Sequence, residues 1–259
     1  MSDATITTRD WVARTLSGFL DEETDRERSV GELDLAPFQA RAARRGTDIA
    51  RRYGGVIVAD AVGLGKTRVA LAIVETLRRD RRLQSADQRP VWVCVPARLR
   101  DQWRRKMTQA GFERFELLSH TQMSREDLDG PDGEPGVLLV DEAHRFRNPS
   151  TNRHRALADW TAEVPVVMAT ATPVCNSIWD LYHLFSLFVA EHDCRPVVGL
   201  DLEDAFERAE EGAFDLTALI ERLVIRRTTP PTANARRSGA RMRYARSPFA
   251  ASRYPTPRS

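Results

Sequence analysis

The stretch GVIVADAVGLGKT, residues 55–67, constrains this chain more than any other. A short apolar run ends in a glycine turn, and Lys66-Thr67 then opens a segment with Val69, Ala70, Ile73, Val74 and Leu77 on one helical face. Strand, turn and amphipathic helix in that order need a sheet for the helix to cover, which points to layered α/β architecture. The small residues Gly63 and Gly65, with Leu64 between them, let backbone N–H groups converge on phosphate oxygens, and the helix N-terminus adds partial positive charge. Lys66 is placed to neutralise β- and γ-phosphate charge, and the Thr67 hydroxyl to ligate Mg²⁺. One position departs from G-x-x-x-x-G-K-[ST]: Asp60 stands where the first glycine should be.

The same organisation repeats downstream. VWVCV (91–95), FELLS (115–119), GVLLVD (136–141) and VPVVMAT (164–170) are short, nearly continuous apolar runs, suited to strands buried on both faces of a mostly parallel sheet. Helical segments are expected at 99–110 and 176–190, then at LEDAFERAEE and LTALIERLVI. Residues 121–136 carry glycine and proline breakers and read as a surface loop. Residues 1–32 read as an amphipathic helix with a charged linker, and 33–227 as one lobe with its core at about 47–190. Residues 228–259 read as a disordered basic tail, because they hold seven arginines, no acid and five of the fourteen prolines.

A second chemical signal is LLVDEAHRF (138–146), in which an apolar strand delivers two adjacent carboxylates to its C-terminal end. Ligands bind at that end of open α/β sheets. Alternation along the chain sends Asp141 and Glu142 in different directions, which suits two jobs. Asp141 can hold a metal through its water shell, while Glu142 orients and deprotonates an attacking water.

Composition matters in one respect. Of 39 Lys and Arg residues only Lys66 and Lys106 are lysines, so a lysine here marks a place that needs a compact ammonium in place of a planar fork. The net charge of +2 becomes −5 once the seven tail arginines are set aside, giving an acidic body and a basic tail. Cys94, Cys175 and Cys194 lie far apart without metal-ligand spacing and are expected as reduced thiols. No apolar run approaches the ~20 residues that a membrane helix needs. The N-terminus lacks a basic stretch before an apolar one, so a cytoplasmic location is expected.

With GLGKT and DEAH in place, the chain resembles the superfamily-two helicase motors, and more narrowly the Swi/Snf-type DNA translocases. LAPFQ (35–39) is similar to their adenine-reading motif, and VWVCVPARLRDQW (91–103) to the motif that follows the phosphate loop. RFRN after DEAH, ATATPVCNSIWDLYHLFSLF (169–188) and LVIRRT (223–228) complete six ordered motifs over about residues 33–228. In this family the loop usually begins D-E-M-G-L-G-K-T, so the resemblance explains Asp60; Ala61 and Val62 replace Glu and Met. It implies a RecA-like phosphate-loop NTPase lobe using ATP and Mg²⁺, with Phe38 and Gln39 at the adenine. It also implies that His144 links the nucleotide site to Thr170 and Thr172, and that Pro96, Ala97, Arg98, Ser119 and His120 meet one strand of duplex DNA. Trp103 and Trp179 read as core residues, while Asn148, Asn176 and Asp180 cap or brace helices. The third motif reads ATATP where the family more often has L-T-G-T-P.

A motor of this family has two RecA-like lobes with the nucleotide between them, and arginines from the second stabilise the transferred phosphoryl group. The sequence after Arg227 shows no further strand–helix alternation, so the expectation is a lobe of low activity alone, completed by a second lobe in trans. Two alternatives belong to other classes: a non-catalytic ATP- or DNA-binding module, and a small-molecule phosphotransferase. The paired DEAH carboxylates and Gln39 argue against the latter.

Overall fold

The structure is a computed structural model that describes residues 33–60, 63–79, 89–125, 130–131, 133–173 and 177–227. The expected helix in 1–32, the tail 228–259, Ala61, Val62, Cys175 and Asn176 lie outside the described residues.

Six strands form one sheet: β1 (Gly55–Val58), β2 (Val91–Val95), β3 (Phe115–Ser119), β4 (Val137–Asp141), β5 (Val166–Ala169) and β6 (Val224–Ile225). Their spatial order is β3-β2-β4-β5-β1-β6, and every neighbouring pair is parallel. The expected mostly parallel α/β sheet is thus wholly parallel among the described residues. Parallel strands need crossovers that put helices on the sheet faces, and the central strands β1, β2, β4 and β5 are correspondingly buried along nearly their whole length.

The helices are α1 (Pro37–Tyr53), α2 (Lys66–Arg78), α3 (Arg100–Gln109), α4 (Asn152–Thr161), α5 (Trp179–Phe185), α6 (Arg195–Val198), α7 (Leu202–Glu210) and α8 (Thr217–Leu223). Proline at its start and Gly54 in the left-handed conformation at its end bound α1, which packs on α2, β1 and β6. Gly46 makes that packing close, since a Cβ there would meet Ile73 Cδ1 at 2.4 Å. Helix α2 lies across β1, β4 and β5, and α3 lies against β3. One boundary differs from expectation. In LTALIERLVI the helix stops at Leu223, and Val224-Ile225 turn into β6 because they pair with Ile57 and Val58 on the free edge of β1.

The register aligns the strand ends that matter. Asp141 pairs with Ala169, Ala169 with Val58, and Val58 with Ile225, so one row crosses the sheet. Val95 pairs with Ser119 on the other side of β4. Because all strands run the same way, the residues just past that row share one rim: Pro96, His120, Glu142, Thr170, Asp60 and Arg227. Among the described residues no helix is long and apolar enough to cross a membrane.

Candidate nucleotide site

The turn after β1 can be made only by glycines. Gly63 and Gly65 have φ of 92° and 77°, in the left-handed region that costs L-residues about 1–2 kcal/mol. Gly65 carries a second constraint, since a Cβ there would lie 2.2 Å from Gln39 Nε2. It is also the N-cap of α2, and no side chain caps that helix, so the first-turn N–H groups have no capping side chain to displace. That uncapped, half-buried helix start suits a phosphate group.

Lys66 Nζ donates to the Asp60 backbone carbonyl at 2.8 Å. Burial lowers the pKa of its ammonium, and the charges of Asp60, Glu142 and Asp141 partly offset this. Both DEAH acids therefore lie within electrostatic reach of the phosphate-loop lysine.

Asp141 ends β4 with each carboxylate oxygen holding one donor. Oδ1 accepts from Glu142 N at 3.0 Å and Oδ2 from Trp103 Nε1 at 2.8 Å. A carboxylate oxygen has two acceptor sites, so capacity for a metal or its water remains on each. Glu142 has φ 52° and ψ 46°, the one positive-φ residue other than glycine among those described. Such a conformation costs about 1–3 kcal/mol and turns the side chain away from the line of the strand. The donor set of Thr67, Asp141 and Glu142 oxygens beside an ammonium fits a Mg²⁺-bound triphosphate.

The turn Ala143–Phe146 then brings His144 back to the rim. Its Nδ1 lies 3.3 Å from Glu142 Oε2 and 3.2 Å from Thr170 Oγ1, and the same hydroxyl accepts from Thr172 N at 3.2 Å. Burial lowers the His144 pKa; Glu142 opposes that, and Arg147 and Arg145 add to it. The structure thus brings Glu142, His144, Thr170 and Thr172 into one connected chain of groups.

Gln39 is buried, and its amide is engaged at both ends. Oε1 accepts from Ala36 N at 3.1 Å, while Nε2 donates to Leu64 O at 3.1 Å. The expected base-reading residue therefore also ties α1 to the phosphate loop. Phe38 is 40% exposed beside it.

The rim places the expected strand-contact residues unequally. Ala97 and Arg98 are exposed, whereas Pro96 is buried. Ser119 and His120 are 5% and 3% exposed. The Ser119 hydroxyl is occupied locally, donating to Gln122 Oε1 at 2.9 Å and accepting from Gln122 N at 3.1 Å. Burial holds the His120 imidazole down to about 4, partly offset by the Cys94 backbone. Asn148 braces its own turn by accepting from Ser150 N at 3.0 Å, and Asp180 meets Arg147 Nε at 3.3 Å.

Three participants escaped the sequence reading. Arg227 donates to the fully buried Asp60, through Nε at 3.0 Å, through Nη2 and through its backbone N–H at 2.9 Å. Its Nη1 reaches Phe38 O at 3.0 Å, and its guanidinium lies 5.0 Å from the Phe38 ring centroid. Trp103 is core, as expected, yet its indole is also the donor that orients Asp141. Lys106 places Nζ 3.5 Å from Thr67 Oγ1. The first had a legible signal: an acid on the turn after a buried strand requires a cation. The last had one in the rarity of lysine.

Comparison with known proteins agrees with this geometry. Residues 115–234 match the SNF2-related domain family. The core of a Sulfolobus solfataricus SWI2/SNF2 ATPase, solved in complex with dsDNA, superposes with a TM-score of 0.59 at 18% identity, over 78% of this chain and 46% of that one. The fold of the chain is that of one part of this SWI2/SNF2 ATPase core. The same Sulfolobus core solved as the ATPase core domain gives a TM-score of 0.54 over 80% of this chain and 46% of that one, at 19% identity. In sequence, the chain is similar to mouse chromodomain-helicase-DNA-binding protein 1-like, 27% identical over 201 residues, 67% of this chain and 22% of the relative. It is also 26% identical to mouse DNA repair and recombination protein RAD54B over 215 residues, 67% of this chain and 24% of that protein. The chain thus spans about a quarter of the length of these relatives.

Proposed function

We propose that this lobe binds ATP·Mg²⁺ and contributes to DNA-dependent ATP hydrolysis in a translocase of the Swi/Snf type. The observation that carries this is the convergence of Lys66, Thr67, Asp141 and Glu142 on one rim, with Lys66 under the influence of both acids. Residues 63–67 cradle the phosphates, and Lys66 exchanges the Asp60 carbonyl for a phosphate oxygen. Thr67 and Asp141 hold the metal, which when bound screens the phosphate charge. Glu142, already turned off the strand, orients the attacking water and takes its proton. Phe38 and Gln39 border the base.

His144 and Thr170 relate that site to the exposed rim at Ala97 and Arg98, where sequence-independent contacts to a DNA strand belong. Duplex DNA as the activating partner is supported by the solved neighbour, itself bound to dsDNA. Catalytic arginines from a second RecA-like lobe, in the same protein or in trans, add a factor of about 10³–10⁵ in related enzymes, so this lobe alone turns over slowly.

The test is steady-state ATP hydrolysis by the chain, with and without duplex DNA and a second lobe. Glu142→Gln is expected to lower turnover about 10²–10⁴-fold while leaving nucleotide binding in place. Lys66→Ala is expected to lose binding. Nucleotide binding with no DNA-stimulated turnover under any of these conditions would leave a non-catalytic module instead.

A further inference from the structure

Both lysines of this arginine-rich chain stand in one site. Lys66 is the phosphate-loop lysine; Lys106 comes from α3, on the opposite wall of the same corner. Its ammonium lies 3.5 Å from Thr67 Oγ1 and 4.9 Å from the centre of the Trp103 ring, and Trp103 Nε1 in turn holds Asp141 Oδ2. Trp103 and Lys106 are three residues apart and share a helix face, so the indole that donates to Asp141 also faces the lysine ammonium. A Mg²⁺ ligated by the same threonine oxygen sits at about 2.1 Å from it. It would therefore have the Lys106 ammonium within a few ångströms, with like charges facing across a half-buried corner.

We infer that Lys106 is a tethered counter-ion for the Thr67–Asp141 corner, which the divalent metal must displace when nucleotide loads. The side chain stabilises the acidic rim in the metal-free protein and raises the metal concentration needed to fill the site. This rests on the nucleotide reading above, yet its consequence is a change in metal affinity that is measured apart from turnover. Lysine suits the task because its charge is compact and its stem flexible enough to swing aside, whereas an arginine fork would remain bulky.

Mn²⁺ is the probe, its binding to the whole chain followed by electron paramagnetic resonance, with and without a non-hydrolysable ATP analogue. Lys106→Met keeps an unbranched side chain of similar length and removes the charge; it is expected to lower the half-saturating Mn²⁺ concentration about tenfold. Thr67→Ala in the same background is expected to abolish that gain. Arg104→Met, which removes an exposed positive charge from the same helix, should change binding less than about twofold. Equal Mn²⁺ affinity in Lys106→Met and the parent chain, or no Mn²⁺ bound by either, overturns the inference. Weaker binding in Lys106→Met overturns it too, because the lysine would then be a ligand of the phosphates. An equal gain in Arg104→Met also overturns it, by showing a general charge effect. Failure of the analogue to bind, or binding that survives Lys66→Ala, counts against the nucleotide reading alone, since the metal-only titration still decides Lys106.

Discussion

Asp60 and Asp141 follow or end parallel strands on opposite sides of β5 and sit at the same rim, yet they are built for opposite purposes. Asp60 is fully buried, and a single arginine from the far end of the lobe holds it with two guanidinium donors and a backbone N–H. Asp141 is partly exposed and, among the described residues, held by one donor per oxygen, which leaves half its acceptor capacity for other groups. The difference teaches how one sheet edge supports both architecture and chemistry. A buried carboxylate paired with one arginine is a fastener; one that reaches solvent with a single donor on each oxygen has room for a ligand.

The comparison breaks most visibly if the two acids respond alike to neutralisation. Asp141→Asn keeps an oxygen for the Trp103 indole but loses the bond from Glu142 N–H, so unfolding free energy should fall by no more than about 1–2 kcal/mol. Mg²⁺-dependent ATP turnover should nevertheless fall on the order of 10³-fold, about 4 kcal/mol of barrier. Paired denaturant melts and hydrolysis assays check this; a large stability loss would make Asp141 a second fastener.

On the other side, Arg227→Met leaves the Asp60 charge buried and unpaired, which should cost about 3–5 kcal/mol of stability in a urea titration. A change below ~1 kcal/mol would show that the Asp60 clamp is ornamental, and the contrast with Asp141 would collapse.

The smallest expected effect sharpens the picture of the rim near Asp141. His120 titrates at about 4 in the fold against 6.5 when exposed, because burial disfavours its charged form. The unfolded chain therefore binds more protons between those values. The stabilisation is complete above pH 6.5 and is lost as pH falls toward 4, by about 3 kcal/mol from this residue. Stability curves across that window should be flatter in His120→Gln; an unchanged slope would assign the acid sensitivity elsewhere.

Much of this was legible in one dimension. The strand at 91–95 coincides with its apolar run, since a strand buried on both faces must be apolar at every position. The glycine turn at 63–65 and the acid pair at 141–142 stand out because each lies in contiguous residues. Strand β6 does not: two residues after a helix carry no periodicity, and only the open edge of β1 makes them a strand. Trp103 read correctly as core, but a buried indole needs a partner for its N–H, and nothing near it in sequence names Asp141, 38 residues away. The burial of Ser119 and His120 was equally hidden, because the exposure of a strand-end residue depends on which turn folds over it.

By itself, then, the sequence determined the alternation of buried strands with helices, the glycine-only turn and the supply of acids and ammonium groups, all consequences of local patterning and side-chain chemistry. Tertiary structure alone decided which polar group meets which: Arg227 with Asp60 across 167 residues, Lys106 with Thr67 across 39. The reason is that pairing depends on distance in space, and strand order and register set that distance.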